Sequence, residues 1–332
     1  MIAHGGVPPD AAALVLTHRR PRLCTRLVRH LVEVEGFPPE RVVVVVNGQG
    51  GLSDEALARA VDVLRLPSNQ GPAGGFKVGM EHVLSSLQCR WVYVCEDDLP
   101  IEHMNAPRVA GLVEDMDRLS SSGPPIGAAT AWGRRQDPRT GASVAHEVAP
   151  GMRYEDIDVA GWGATLLSTA VAKAGILPDE RLFFGYEDWD FLIRLRRAGF
   201  RLVIDNQALK SDVYGRRRAF IRSQELHAVT WRGYYDVRNY MLVARRYGDW
   251  RWVKEHLRTV ARLLRRARTW RRRVAIVAGL IDGARGKAGL NARYVRPAVE
   301  DQVSDERAPA SPTSQDGRRA MPQLARGPQR QS

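Results

Sequence analysis

Four short apolar runs, at residues 13–17, 41–46, 61–66 and 91–95, are continuous rather than alternating. That is the pattern of strands buried on both faces of a parallel sheet. Helical periodicity fills the intervals. Residues 21–34 carry Leu23, Leu27 and Leu31 at four-residue spacing, and residues 74–87 carry Met80, Val83, Leu84 and Leu87. Strand–helix–strand alternation with short connections predicts a doubly wound α/β sheet with right-handed crossovers. Ligands in such sheets bind beyond the carboxyl ends of the strands, so the strand ends are where chemistry is expected.

After Asp98 the pattern changes. Residues 107–119 read as a helix, with Val109, Leu112, Val113 and Met116 on one face, and residues 120–125 and 133–151 as loops. A helix over 188–198 turns Phe191, Leu192 and Leu195 inward and Arg194, Arg196 and Arg197 outward, with Gly199 as its cap. A last strand covers 201–204. From Arg232 to about Arg273 the chain reads as helices, with Val253, Leu257, Val260, Leu264 and Ala267 forming a stripe beside Arg258, Arg262, Arg265, Arg266 and Arg268. The tail from 298 has no periodicity and reads as disordered. The expected organisation is a main domain over 1–230, with a ligand-binding half at about 11–100 and a second half at about 101–230. A helical region at 231–297 and the tail at 298–332 follow.

With 332 residues, 44% of them hydrophobic and 26% charged, the chain can bury a full-sized core and is not wholesale disordered. Cys24, Cys89 and Cys95 lie at no metal-ligand spacing, which excludes a disulfide scaffold or a zinc module and favours a reducing compartment. The net charge of +13 is local: residues 1–237 hold 28 Lys/Arg against 29 Asp/Glu, and residues 238–297 hold 17 against 3. So confined a positive field predicts docking on something anionic, a membrane leaflet or a polyanion. The even balance elsewhere, and the lack of any nucleic-acid motif, argue against a nucleic-acid-binding protein. The first ten residues have no basic flank, and the longest apolar stretch, 274–281, is too short to span a bilayer. A cytoplasmic protein, soluble or peripheral on the inner face of the cell membrane, is expected.

Three segments carry candidate chemistry. Glu96-Asp97-Asp98 follows a buried strand, and three adjacent carboxylates on one turn are least costly with a divalent cation between them. Oxygen-only ligands suit Mg²⁺ or Mn²⁺, completed by water and a diphosphate. The glycine-rich stretch 66–79 lets backbone N–H groups approach a phosphate or ribose, although it has neither P-loop nor dinucleotide-fold spacing. In 182–199, Glu187, Asp188 and Asp190 stand among Phe183, Phe184, Tyr186 and Trp189. A carboxylate pressed among aromatics has a raised proton affinity and can serve as a general base.

In order and kind these motifs resemble the family 2 glycosyltransferases of GT-A fold, and more narrowly their bacterial rhamnosyl- and galactofuranosyltransferase-like branch. The Thr-Tyr-Asn-Arg-like opening is matched by Leu16-Thr17-His18-Arg19-Arg20-Pro21, and the base-holding strand end by Val46-Asn47-Gly48. The Asn-x-Gly-x-Ala-Gly-Gly segment is matched by Asn69, Gly71, Ala73, Gly74 and Gly75, and the metal motif by Glu96-Asp97-Asp98. The base motif is matched by Glu187-Asp188-Trp189-Asp190, and 234–239 and 282–286 also look like that branch. The resemblance spans about residues 11–297. It departs from the family in having Glu96 for Asp, Asn47 where many relatives have Asp, and Lys210-Ser211-Asp212 where many place a metal-binding His.

The resemblance implies a GT-A-type mixed, mainly parallel sheet with a basic helical C-terminal extension. It further implies inverting transfer of a galactofuranose- or rhamnose-type sugar from a UDP- or dTDP-linked donor to a glycan or lipid-linked acceptor in cell-wall or surface polysaccharide assembly. Glu96 and Asp98, with Asp212, would hold Mg²⁺ or Mn²⁺. Thr17, Arg19, Asn47, Asn69, Gly71, Gly74, Gly75 and Asp97 would line the donor site. Asp188, or Glu187, would be the base, and Trp162, Trp189 and Asp190 would face the acceptor. A nucleotidyltransferase, or a relative that binds nucleotide without catalysis, is the alternative. Neither would need a base at Asp188.

Overall fold

The computed structural model describes residues 7–99, 101, 108–137, 142–146, 149, 151–210, 230–248 and 250–295. Asp212 and the tail from 298 lie outside the described residues. The four strands expected first are present as β1 (Ala11–Thr17), β2 (Val42–Asn47), β3 (Asp62–Leu66) and β4 (Trp91–Glu96), all parallel. The second half adds β5 (Ile126–Thr130), β6 (Arg134–Gln136), β7 (Ser143–Ala145), β8 (Tyr154–Asp156), β9 (Thr165–Ser168) and β10 (Arg201–Asp205). The eight-stranded sheet runs β3-β2-β1-β4-β9-β5-β10-β8, and β6 and β7 form a separate hairpin. β9 runs antiparallel between β4 and β5, and β8 is an antiparallel edge on β10. This is the mixed, mainly parallel α/β sheet that was expected.

The sheet is covered on both faces, as the continuous apolar runs require. From β1, Ala11, Ala13 and Val15 point to one core, where Leu27 and Leu31 of α1 (Pro21–Glu33) meet Val113 and Met116. Ala12, Leu14 and Leu16 point to the other, with Phe76, Met80, Phe191 and Leu195. A short α2 (Glu55–Ala60), capped by Asp54, precedes β3. The first-face helix α4 (Val109–Ser121) starts two residues later than its periodicity predicts. The Glu35 carboxylate, far away in sequence, accepts from the amides of Arg108 and Val109 and so caps its start. On the second face lie α3 (Gly71–Ser86), α5 (Thr169–Lys173) and α6 (Glu187–Arg197), and α7 (Asn206–Lys210) follows β10.

Three helices complete the described chain: α8 (Thr230–Tyr247), α9 (Trp250–Arg266) and α10 (Trp270–Ala284). The last lies within the helical region expected at 231–297, mostly beyond the pattern that runs to about Arg273. Gly279 and Gly283 have no Cβ to hold α10 away from α8: one built there would stand 2.4 Å from the Tyr234 carbonyl and 2.6 Å from that of Arg238. Two hydrophobic clusters draw on both sides of residue 230. One joins Trp189 and Ile193 to Tyr240 and Val243, the other Phe183 to Trp231, Tyr234 and Tyr235. The apolar stripe of α9 turns inward in part, with Val260 and Ala267 buried. Trp250, Leu257 and Trp270 are left exposed beside Arg258, Arg262, Arg265 and Arg266. No helix among the described residues is long and apolar enough to cross a membrane.

Candidate active site

Because β1 to β4 are parallel, Thr17, Asn47, Leu66 and Glu96 all arrive at one edge of the sheet. The acidic turn after β4 is divided in its roles. Asp97 is fully buried, accepts from Thr17 Oγ1 at 2.7 Å and pairs with the Arg20 guanidinium. Burial raises its pKa to about 7 against the pull of Arg20, and the charges of Asp98 and Glu96 add to the rise. Arg20 also reaches Asp98, 3.2 Å away, which is 43% exposed. Arg19, expected at the donor site, instead takes a left-handed backbone (φ 58°) and turns its Nε to Gln49. Of the two adjacent arginines, Arg20 is the one on the acidic turn. Adjacent and alike, the two cannot be told apart without the tertiary contact.

The glycine-rich stretch is not a loop but the first turns of α3. Pro72 opens the helix and Gly71 enters it at φ +71°. Two asparagines hold this start. Asn69 Oδ1 accepts from the Gly71 amide at 2.8 Å. Asn47 accepts from the Gln70 amide at 2.8 Å and donates to the Gly71 carbonyl at 2.9 Å. Asn47 is buried with its amide engaged at both ends, so it fixes the turn rather than presenting itself to a nucleotide base. Gly75 allows α3 to close on β1, since a Cβ there would stand 2.4 Å from Leu16; at Gly74 it would meet the Gln70 side chain. His18 links these parts: its Nδ1 lies 2.6 Å from the Asn47 carbonyl and its Nε2 3.3 Å from Asn69 Nδ2. At Gly71 a Cβ would stand 2.0 Å from the Phe183 carbonyl. Gly71→Ala is therefore expected to destabilise the fold by about 2 kcal/mol, through the forbidden contact and the left-handed backbone together. Calorimetry against wild type measures this.

Phe183 belongs to the loop that delivers the third motif. Phe183, Gly185 and Tyr186 all have positive φ, and α6 begins directly after them. The non-glycine residues of positive φ among those described are Arg19, Ala164, Phe183 and Tyr186, all in turns at or beside this edge. Backbone strain of this kind gathers where function needs a fixed geometry. Asp188 Oδ1 accepts from the Trp189 amide at 2.8 Å. Burial pushes the Asp188 carboxyl up to about 7, against its backbone hydrogen bonds, and the charges of Glu96 and Asp236 push it further. Glu187 is 5% exposed and its Oε2 has no hydrogen-bond partner among the described residues. Burial, with the charge of Asp188 added, drives its proton affinity well above the ordinary range. The field of Glu96 at both carboxyls brings the acidic turn and the start of α6 together. Asp236, exposed on α8, joins them, although the sequence reading gave it no role.

The three residues expected to face an acceptor are otherwise engaged. Trp162 is 4% exposed and lies between Phe76 and Phe191, at 5.0 and 5.1 Å, so its ring has no open face for a sugar. Trp189 packs against Tyr186 and Tyr240. Asp190 is fully buried, with Arg194, Arg246 and Tyr247 bound to its oxygens. An aromatic that does border Asp188 is Trp132. A Cβ on Gly161 would stand 2.5 Å from its ring and 3.1 Å from Asp188 Oδ2. Trp132 is only partly buried.

Among the described residues, no three His, Cys, Asp or Glu side chains converge as a metal cage. An ion that shares its shell with substrate phosphates needs only one or two carboxylates. Glu96 and Asp98 are hard oxygen donors on one turn and fit that requirement, whereas Asp97 is committed to Thr17 and Arg20.

No protein-family model matches the chain. No curated protein matches it in sequence. Among solved structures it is similar to the crystal structure of GalNAc-T7 with UDP, GalNAc and Mn²⁺, at 10% sequence identity and a TM-score of 0.48. The likeness covers 83% of this chain and 56% of that one, so the chain spans little more than half the length of that neighbour.

Proposed function

We propose that the chain is an inverting, metal-dependent glycosyltransferase. It would move a sugar of the galactofuranose or rhamnose type from a UDP- or dTDP-linked donor to a glycan or lipid-linked acceptor. The observation that carries this reading is the meeting, at the carboxyl edge of the sheet, of the acidic turn, the glycine-opened helix and a half-buried aspartate of raised proton affinity.

Asp188 is the base in this reading. It takes the proton of the acceptor hydroxyl as that oxygen bonds to the anomeric carbon. The bond from that carbon to the diphosphate breaks on the opposite face, and its electron pair leaves with the phosphate oxygen. A carboxyl of raised proton affinity suits a base at neutral pH, and Asp188 is the half-exposed member of the pair, beside Trp132, whereas Glu187 is buried. A divalent cation held by Glu96 and Asp98 would neutralise charge on the departing diphosphate. The amides of Gln70 and Gly71 are taken by Asn47 and Asn69, so those of Ala73 and Gly74 in the first turn of α3 are the ones that would serve the donor's phosphates or ribose. Trp132 replaces Trp162 as the ring that stacks on a sugar beside Asp188.

The outward arginines of α9, with Trp250 and Trp270, suit an anionic leaflet, where each cation contributes about 1 kcal/mol. A lipid-linked acceptor at that surface agrees with this placement. The test supplies radiolabelled UDP-galactofuranose or dTDP-rhamnose with a membrane fraction and follows label into lipid-extractable product. Label that stays in the donor with every membrane fraction and both donors contradicts the reading.

A further inference from the structure

The loop before Asp188 cannot hold its own shape. Phe183 (φ 60°), Gly185 (φ 78°) and Tyr186 (φ 65°) place three of four consecutive residues in the left-handed region, and two of them carry a Cβ. Backbone amides serve only some of the turn's carbonyls: that of Leu182 accepts from Phe184 at 2.7 Å and that of Tyr186 from Asp190 at 3.0 Å. Those of Leu182, Phe184 and Gly185 all converge on one atom of α8, Asn239 Nδ2, at 2.7, 2.7 and 2.8 Å. Arg238 supports this contact. Its Nε donates to Asn239 Oδ1 at 2.8 Å, which sets the direction of the amide. Its Nη2 donates to the Leu182 carbonyl at 3.0 Å and its Nη1 to that of Gly289 at 2.6 Å. The guanidinium lies over the ring of Tyr235, 4.7 Å from its centre. Both residues are buried, Arg238 at 1% exposure and Asn239 at 0%.

A buried guanidinium whose hydrogen bonds go to carbonyls and an amide is a costly arrangement, and it is used here on one short turn. That turn has Asp188 two residues beyond it and the Gly71 backbone against its Phe183 carbonyl. It therefore separates the donor side of the site from the base. Misplacing a reacting group by about 1 Å costs on the order of 100-fold in rate.

We infer that Arg238 and Asn239 are positioning residues that clamp the 182–186 turn, and through it set the place of Asp188 relative to the donor. The inference rests on the glycosyl-transfer reading above. It makes the basic helical region part of the active site's frame, beyond any role at a membrane.

The test compares wild type with Asn239→Ala, in which the Phe184 and Gly185 carbonyls lose their side-chain donor. Asn239→Ser, with one donor on a shorter side chain, carries the same test should Asn239→Ala fail to fold. The account predicts a cooperative melt, UDP or dTDP affinity within about threefold of wild type, an unchanged donor KM, and a kcat lower by about 100-fold. A folded variant that keeps kcat within threefold overturns the inference. So does one that loses nucleotide affinity and kcat in equal proportion, since general damage would explain both. If wild type itself neither binds nor turns over either donor, the glycosyl-transfer reading is what fails. The clamp is then read by hydrogen exchange alone. Amides 183–189 should exchange at least tenfold faster in the variant while those of 11–17 and 91–96 are unchanged, and equal protection of 183–189 overturns it.

Discussion

Asp188→Asn should lower kcat by about 1000-fold while leaving nucleotide affinity within a few-fold of wild type. Asparagine keeps an oxygen for the Trp189 amide, so the start of α6 is retained and what is lost is the capacity to take a proton. The stability change should have the opposite sign. In the folded state the Asp188 carboxyl is raised to about 7 from an ordinary 3.8, chiefly by burial. The stability it contributes is present when it is protonated and is lost as pH rises through 7. Free of nucleotide and metal, the variant should therefore melt higher than wild type at pH 8, with the gap closing toward pH 4. Rate loss with a gain in stability is the signature of a group kept for chemistry. A variant with undiminished transfer would move the base elsewhere, to Glu187 or Asp236.

Asp190, two residues on, should behave in the reverse way. Its Oδ2 accepts from Arg194 Nε at 2.9 Å. Its Oδ1 accepts from Arg246 Nη1 at 2.8 Å and from the Tyr247 hydroxyl at 2.7 Å. Arg246 also reaches Asp179, whose carboxyl is held at about 2 by Arg181 and Arg246 despite the opposing effect of burial. Asp190 thus ties α6 to the end of α8. Asp190→Ala leaves two guanidiniums and a phenol facing an empty place, a loss of about 3 kcal/mol and roughly 4 °C in Tm for a chain of this size. Below its melting temperature the variant should bind nucleotide as wild type does. A variant of undiminished Tm and weakened acceptor KM would restore Asp190 to the acceptor site.

How much of this was legible in the sequence follows from which forces were local. The first four strands are runs such as Val42–Val46, buried on both faces, and continuous hydrophobicity announces them. β5 (Ile126–Thr130) is mostly Gly, Ala and Thr, and β8 and β9 are three and four residues long, so neither length nor propensity marks them. The start of α3 reads as a loop because glycine is a poor helix former. It is a helix because Asn47 and Asn69 satisfy its first turn from outside, which is a tertiary fact. The site divides likewise. The carboxylates of 96–98 and 187–188 were legible, since adjacent like charges need a purpose. The engagement of Asn47, Trp162 and Asp190 was not, because it depends on partners 23 to 57 residues away or on burial between other rings. Asp236, in a helix of ordinary appearance, gave no signal of its own beyond its place in the 234–239 motif.

The central claim is a site for a nucleoside diphosphate and a cation at the acidic turn. Its most direct test is calorimetric titration of the full chain with UDP and with dTDP, each with and without Mn²⁺, on wild type and Asp98→Ala. The account predicts binding of one of the two nucleotides that Mn²⁺ strengthens at least tenfold, and loss of that increment in Asp98→Ala. No binding of either nucleotide by wild type under any of these conditions would contradict it.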